Sequence, residues 1–267
     1  MQNENTPCLF IAHGSPMNAI EKSDFSIKLN EIGNSLKNNI SSIVCFSAHW
    51  RTEGLFISHS HKLKTIYDFS GFPSELSNVV YSPPGNPDLA ERLKNELKDF
   101  APILDEKRGI DHGAWSILIH LFPSADIPVV LISQNLDLKL NQHYEIGKIL
   151  RPFRNEKILF IGSGNIVHSF FSFSQDISAP SPEWATSFDE KIKSALENKD
   201  HNTIIKYRRI FGKNAKLSVP TEEHFIPLLY IIGLESDTDQ IEFLYEKFQN
   251  SSMSMRSFML RQLAQRI

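Results

Sequence analysis

Four short, unbroken apolar runs constrain this chain more than any other feature: Cys8 to Ala12, Ile43 to Ala48, Ile127 to Ser133 and Ile158 to Gly162. Each is too short to span a membrane and lacks the polar alternation of a strand with one wet face. Such runs belong to strands covered on both sides. Between them lie segments with helical periodicity: Asp24 to Leu36, Pro87 to Phe100, Trp115 to Leu121, Gln142 to Leu150 and Pro182 to Leu196. In the second of these, Leu89, Ala90, Leu93, Leu97 and Phe100 share one face, and Pro87 opens it where a missing N–H does no harm. A shorter run, Leu55 to Ser58, is expected to pair beside the second strand. Strands alternating with helices predict an α/β fold with a mostly parallel central sheet covered by helices. No linker or repeat divides the chain, so residues 1–267 are expected to form a single domain.

With 41% hydrophobic residues in a chain of 267, one large core is within reach. A net charge of -3 offers no electrostatic attraction for nucleic acid or an anionic membrane, so neither is expected as a partner. The N-terminal MQNENTPCLF has neither the basic start nor the apolar core of a secretory signal, and a cytoplasmic protein is expected. Cys8 and Cys45 both fall in strand runs and read as buried free thiols; no Cys-His zinc spacing exists.

The histidines are not scattered. His13 follows the first strand in LFIAHGSP, His49 the second in CFSAHW, and His168 comes shortly after the fourth in LFIGSGNIVHS. Carboxyl ends of parallel strands share one edge, which is where α/β sheets bind ligands. Gly14, Ser15 and Pro16 after His13, and Gly162-Ser163-Gly164 before His168, let backbone come close to a ligand. His112 in GIDHGAWS and His224 in VPTEEHFIPLL have conspicuous settings too. Thr221 reads as a helix N-cap, which puts His224 in a first helical turn. His59, His61, His143 and His201 lie in polar surroundings and read as surface residues, and His120 as a core histidine. Clustered neutral imidazoles suit Fe(II), Zn(II), Ni(II) or Cu(II) rather than Mg or Ca. A spare histidine beside them suits proton transfer near neutral pH. There is no GxGxxG, GxSxG or Walker A pattern.

Seven stretches carry a resemblance: HGSPMN (13–18), SAHW (47–50), TIYDFSGFP (65–73), YSPPGNPDLA (81–90), DHGAW (111–115), SGNIVHS (163–169) and PTEEHFIPLLYIIG (220–233). In order and across nearly the whole chain, they resemble the class III extradiol ring-cleavage dioxygenases, in the single-chain DOPA 4,5-dioxygenase-like branch. The resemblance implies an α/β domain with one divalent metal: Fe(II) for activity, or the Zn(II) often found in this branch. It implies a small catechol and O2 as partners, in a monomer or small homo-oligomer. By motif, His13, His49 and His224 correspond to metal ligands. His168 corresponds to a further active-site histidine, as a fourth ligand or as the acid/base, and His112 to a histidine at the substrate. Two departures stand out: Ser169 where the pattern reads VHN, and Tyr67 where it reads TIHDF. On this reading Arg51 can meet a substrate carboxylate, with a surface ion pair as the equal alternative. Phe72, with Phe69, is a candidate wall of an aromatic pocket, while Trp115 reads as core. A zinc hydrolase, or a metal-binding interaction protein without turnover, fits the same histidines.

Overall fold

The computed structural model describes residues 5–262. Its elements in chain order are β1 (Cys8–Ala12), α1 (Asp24–Leu36), β2 (Ser42–Thr52), β3 (Phe56–Ser58), the single turn α2 (Ser74–Ser77), α3 (Pro87–Glu96), β4 (Ile103–Asp105), α4 (His112–Leu121), β5 (Val129–Asn135), α5 (Leu140–Leu150) and β6 (Ile158–Gly164). They continue with α6 (Glu183–Glu197), α7 (His201–Ile205), α8 (Tyr207–Ser218), α9 (Ile226–Gly233), β7 (Asp239–Tyr245), β8 (Phe248–Gln249), β9 (Met253–Ser254) and β10 (Ser257–Gln262). None of the described helices is long and apolar enough to cross a membrane.

The main sheet runs in the order β4-β3-β5-β2-β6-β1-β10-β7. Its four central strands β5, β2, β6 and β1 are mutually parallel. They are also the four apolar runs of the sequence, and alternation splits their side chains between two cores. Phe10, Val44, Phe46, Val130, Ile132 and Phe160 face α3, α5, α6, α8 and α9; Leu9, Ile11, Ile43, Cys45, Leu131 and Ile161 face α1 and α4. Each such fully buried apolar side chain contributes about 1.5–3 kcal/mol, which is why uninterrupted apolar runs end up here. Both cysteines are free and buried.

Several expectations need correction. The Leu55 to Ser58 run does not lie beside β2: β3 pairs antiparallel with β5 and parallel with β4. The first strand is flanked by β10, which pairs with it antiparallel, and β7 closes that edge. β2 continues through His49 to Thr52, with an irregularity in its pairing with β5 between Phe46 and Arg51. α4 begins at His112 because the Asp111 side chain caps it, accepting from the Ala114 N–H. Thr221 is not a cap; α9 starts at Ile226 after a turn that holds His224. Pro227 explains the shift, since it lacks an N–H and is tolerated only in a first helical turn. His143 is not a surface residue: it is 1% exposed, and its Nδ1 lies 2.7 Å from the Tyr230 hydroxyl.

The turn before α9 lies directly on β6. A Cβ at Gly164 would stand 2.2 Å from the His224 carbonyl oxygen, so only glycine lets that turn seat. Gly164→Ala is expected to destabilise the fold by about 1–3 kcal/mol, a fall of several degrees in the calorimetric midpoint. His143 gives a second expectation. Burial lowers its pKa from 6.5 to about 4, so the native state binds fewer protons than the unfolded chain between those values. Its contribution to stability is therefore complete above pH 6.5 and is lost as pH falls toward 4. Between pH 7 and pH 5 this one residue removes roughly 2 kcal/mol. Urea melts of His143→Gln should fall less steeply with pH than wild type by that amount.

Candidate metal centre and active site

β6 lies between β1 and β2, and its carboxyl end organises the site. Ala12 of β1 pairs with Gly164, and Ser47 of β2 pairs with Ser163. His13 and His49 thus leave the two flanking strands on either side of one short segment, and the turn seated on Gly164 brings His224 in from α9. One ring nitrogen from each of the three lies within 4.8 Å of the other two. Ring centroids are 5.0 Å apart for His13 and His49, 5.1 Å for His13 and His224, and 5.0 Å for His49 and His224.

Each backbone is held by a neighbouring donor. Gly14 follows His13 at φ +59°, a left-handed turn natural to glycine, and Asn18 Nδ2 donates to the His13 carbonyl at 3.0 Å. The Ser47 hydroxyl accepts the His49 N–H at 3.2 Å and donates to Asp111 Oδ1 at 2.5 Å. Arg108, stacked over Trp50, donates to Asp111 Oδ2 at 2.7 Å and reaches the His49 carbonyl at 3.4 Å. Gln134 Nε2 bonds the Ser47 and Glu223 carbonyls, tying β2 to the His224 turn, and the Asn165 N–H bonds the His224 carbonyl at 2.8 Å.

Hydrogen bonds place the ring protons of His13 and His224 on Nδ1. The Ser163 hydroxyl donates to the Gly113 carbonyl, so it accepts from His13 Nδ1, 3.0 Å away. His13 Nε2 is then the nitrogen with the free lone pair. His49 Nδ1 faces the Asp68 carboxylate at 3.7 Å, and His224 Nδ1 lies 3.2 Å from Glu223 Oε1. The Nε2 atoms of His13 and His49 face each other at 3.1 Å. With both Nε2 atoms unprotonated, as metal ligation requires, their lone pairs repel unless a cation sits between them. Glu223 Oε2 is also buried with no hydrogen-bond partner among the described residues. Three imidazole nitrogens beside an unsatisfied carboxylate oxygen fit a divalent transition metal.

The electrostatics agree. Burial, and next the His49 ring, hold His13 well below 6.5. Burial, and next the His168 ring, do the same for His224. Burial, reinforced by His112 and opposed by Asp111, Asp68 and Glu223, lowers His49 to about 4. All three stay neutral at pH 7, the form that ligates metal.

The other expected residues fall into three positions. His168 lies flat on His224, with centroids 3.6 Å apart and planes within 4°, and its nitrogens are not among the converging three. Burial lowers it to about 4 against an opposing pull from Glu223. His112, first residue of α4, sits 3.9 Å from the His49 ring and 5.9 Å from that of His13. Its Nδ1 lies 2.9 Å from Asp68 Oδ1. Phe69 meets the His112 ring edge-on at 5.6 Å, and Phe72 packs on Phe69 at 5.6 Å, one ring further out. Trp115 is fully buried, as a core residue should be. Arg51 is exposed and lines a cleft of about 320 Å³ with Gln134, Asn135, Arg208, Glu222 and Glu223, on the Glu223 side of His224. Asp68, Ser163 and Gln134 had no assigned role in the sequence. Asp68 was signalled only by its place inside the TIYDFSGFP motif.

Comparison with known proteins gives one answer. The family described as "Catalytic LigB subunit of aromatic ring-opening dioxygenase" matches residues 7–260. The chain is similar to the 4,5-DOPA dioxygenase extradiol of Escherichia coli (strain K12), 36% identical over 96% of this chain and 95% of that protein. It is also similar to the 4,5-DOPA dioxygenase extradiol of Beta vulgaris, 37% identical over 93% of this chain and 94% of that one. Among solved structures, an uncharacterized Escherichia coli K12 protein superposes with a TM-score of 0.82 at 34% identity, over 95% of this chain and 99% of the other. The chain belongs to the family of the catalytic LigB subunit of aromatic ring-opening dioxygenases.

Proposed function

We propose that this chain is an extradiol dioxygenase that binds one divalent metal between His13, His49 and His224 and opens the ring of a DOPA-like catechol with O2. The observation that carries the metal assignment is the convergence of one ring nitrogen each from His13, His49 and His224 within 4.8 Å of one another, with the His13 Nδ1 proton held by Ser163. The relatives named 4,5-DOPA dioxygenase extradiol supply the substrate class. Iron(II) held by these three nitrogens supplies the redox capacity and template that O2 and a catechol need, which zinc does not.

The chain's own residues divide the remaining work. His13, His49 and His224 would hold the metal, and His168, stacked on His224 outside the three converging nitrogens, is not needed to hold it. Its ring makes no hydrogen bond among the described residues, so its nitrogens are free to exchange a proton with a catechol hydroxyl. His112 keeps its Nδ1 proton on Asp68 and turns its other nitrogen toward a bound substrate oxygen. Phe69 and Phe72 offer ring faces for the catechol. Arg51 suits a substrate carboxylate that reaches around His224 to its cleft.

Two measurements test this. His13→Ala should weaken divalent metal binding by about 100-fold or more, beyond the 10–100-fold typical of losing an outer partner. Full metal stoichiometry in dialysed His13→Ala would remove the site. Second, apoprotein loaded anaerobically with Fe(II), then given air and DOPA, caffeate or protocatechuate, should consume O2 and form a yellow ring-opened semialdehyde. Zinc-loaded protein should do neither. No uptake with any catechol from iron-loaded protein excludes the activity, and oxygen-independent turnover with zinc points to hydrolysis instead.

A further inference from the structure

We infer that Asp68 is a positioning residue whose single carboxylate orients both His49 and His112. The inference rests on His13, His49 and His224 holding the metal. Asp68 Oδ1 accepts two hydrogen bonds from one residue, the His112 N–H at 3.0 Å and His112 Nδ1 at 2.9 Å. Its other oxygen, Oδ2, lies 3.7 Å from His49 Nδ1, within ion-pair range though beyond a formed hydrogen bond. His49 Nδ1 has no other hydrogen-bond partner among the described residues. The two rings stand 3.9 Å apart, so one carboxylate faces both Nδ1 atoms.

Proton placement follows. Asp68 Oδ1 accepts from His112 Nδ1, which fixes that ring with Nδ1–H. The negative Oδ2 beside His49 Nδ1 favours the same tautomer there, with Nε2 turned to His13. The opposite His49 tautomer would aim a proton at the metal. A backbone N–H can only donate, so the bond from His112 N–H makes Asp68 Oδ1 an acceptor by geometry.

The carboxylate is fixed in place despite standing in a loop. Trp115 Nε1 donates to the Ile66 carbonyl at 2.9 Å, and the Ile66 N–H bonds the Ile110 carbonyl at 2.8 Å. The Tyr67 hydroxyl donates to the Val79 carbonyl at 2.7 Å, and Phe69 packs on Trp115 at 6.1 Å. The loop is thus bound to α4 and to the segment before it, and Asp68 also satisfies the first N–H of α4, one of the donors a helix start leaves unpaired.

The test uses Co(II) as the probe, because its visible absorption reports ligand geometry without catalysis. Apoprotein variants are compared by competition against a chelator. Asp68→Asn should bind Co(II) about 10–100-fold more weakly than wild type, with a changed visible band, and the iron-loaded variant should lose more in kcat than in KM. Asp68→Glu, which keeps the charge, should bind Co(II) at least about threefold more tightly than Asp68→Asn. Tyr67→Phe, which loosens the same loop without touching either histidine, should stay within about twofold of wild type. Co(II) affinity within twofold of wild type in Asp68→Asn overturns the inference, as does an equal loss in Asp68→Glu or in Tyr67→Phe. If instead His13→Ala keeps its full Co(II), the metal site itself is wrong; loss in His13→Ala with none in Asp68→Asn removes only the role of Asp68.

Discussion

The repulsion between imidazole rings crowded at one sheet edge governs this structure. Five histidines, three of them with centroids 5.0–5.1 Å apart, crowd together at one largely buried sheet edge. Any two protonated together would repel, and burial already penalises a single charge. The group exists only if the rings stay neutral and their remaining protons point outward. Ser163, Asp68 and Glu223 perform that task, one acceptor behind each converging histidine. Those acceptors are fixed in turn by Gly113, by the His112 amide and by Thr221. The close seating on Gly164 and the clamp of Gln134 across two elements then follow as requirements for holding neutral rings within reach of one cation.

Much of this was legible in the sequence because burial leaves a simple mark. Strands covered on both faces must be apolar throughout, and CLFIA, IVCFSA and ILFIG are. Parallel strands put their ends on one edge, so the sequence alone brings His13 and His49 together. What escaped was not periodic. β10 and β7 are antiparallel strands near the end of the chain, and charged and polar residues interrupt both DQIEFLY and SFMLRQ. The β3 segment is three residues long, and nothing in FIS says whether its neighbour is β2 or β5. Polar local context misled at His143, because its burial comes from α9, distant in sequence, through Tyr230. Asp68 was invisible for the same reason: its two partners lie on β2 and α4, and only the tertiary fold joins them.

The two departures from the family pattern now have structural settings. Tyr67 is partly exposed, and its hydroxyl fastens the loop to the Val79 carbonyl while its ring meets Phe69 and Trp115 edge-on. It serves the loop's shape rather than presenting a ligand. Ser169 is fully buried, its N–H bonded to the Ser252 carbonyl and its own carbonyl accepting from the Ser252 hydroxyl. The chain just after His168 is thus stitched to the β8–β9 hairpin, and His168 itself bridges to Met253.

The position of β1 between β6 and β10 has a consequence for how the molecule comes into being. As the chain emerges from a ribosome, β1 is made first, yet one of its two edges stays unpaired until the final described strand is complete. Such long-range pairing makes for slow folding, and the open apolar edge invites association with other chains in the interval. His224 also arrives late: the three-histidine group that includes His13 and His49 is assembled only once the turn before α9 is in place.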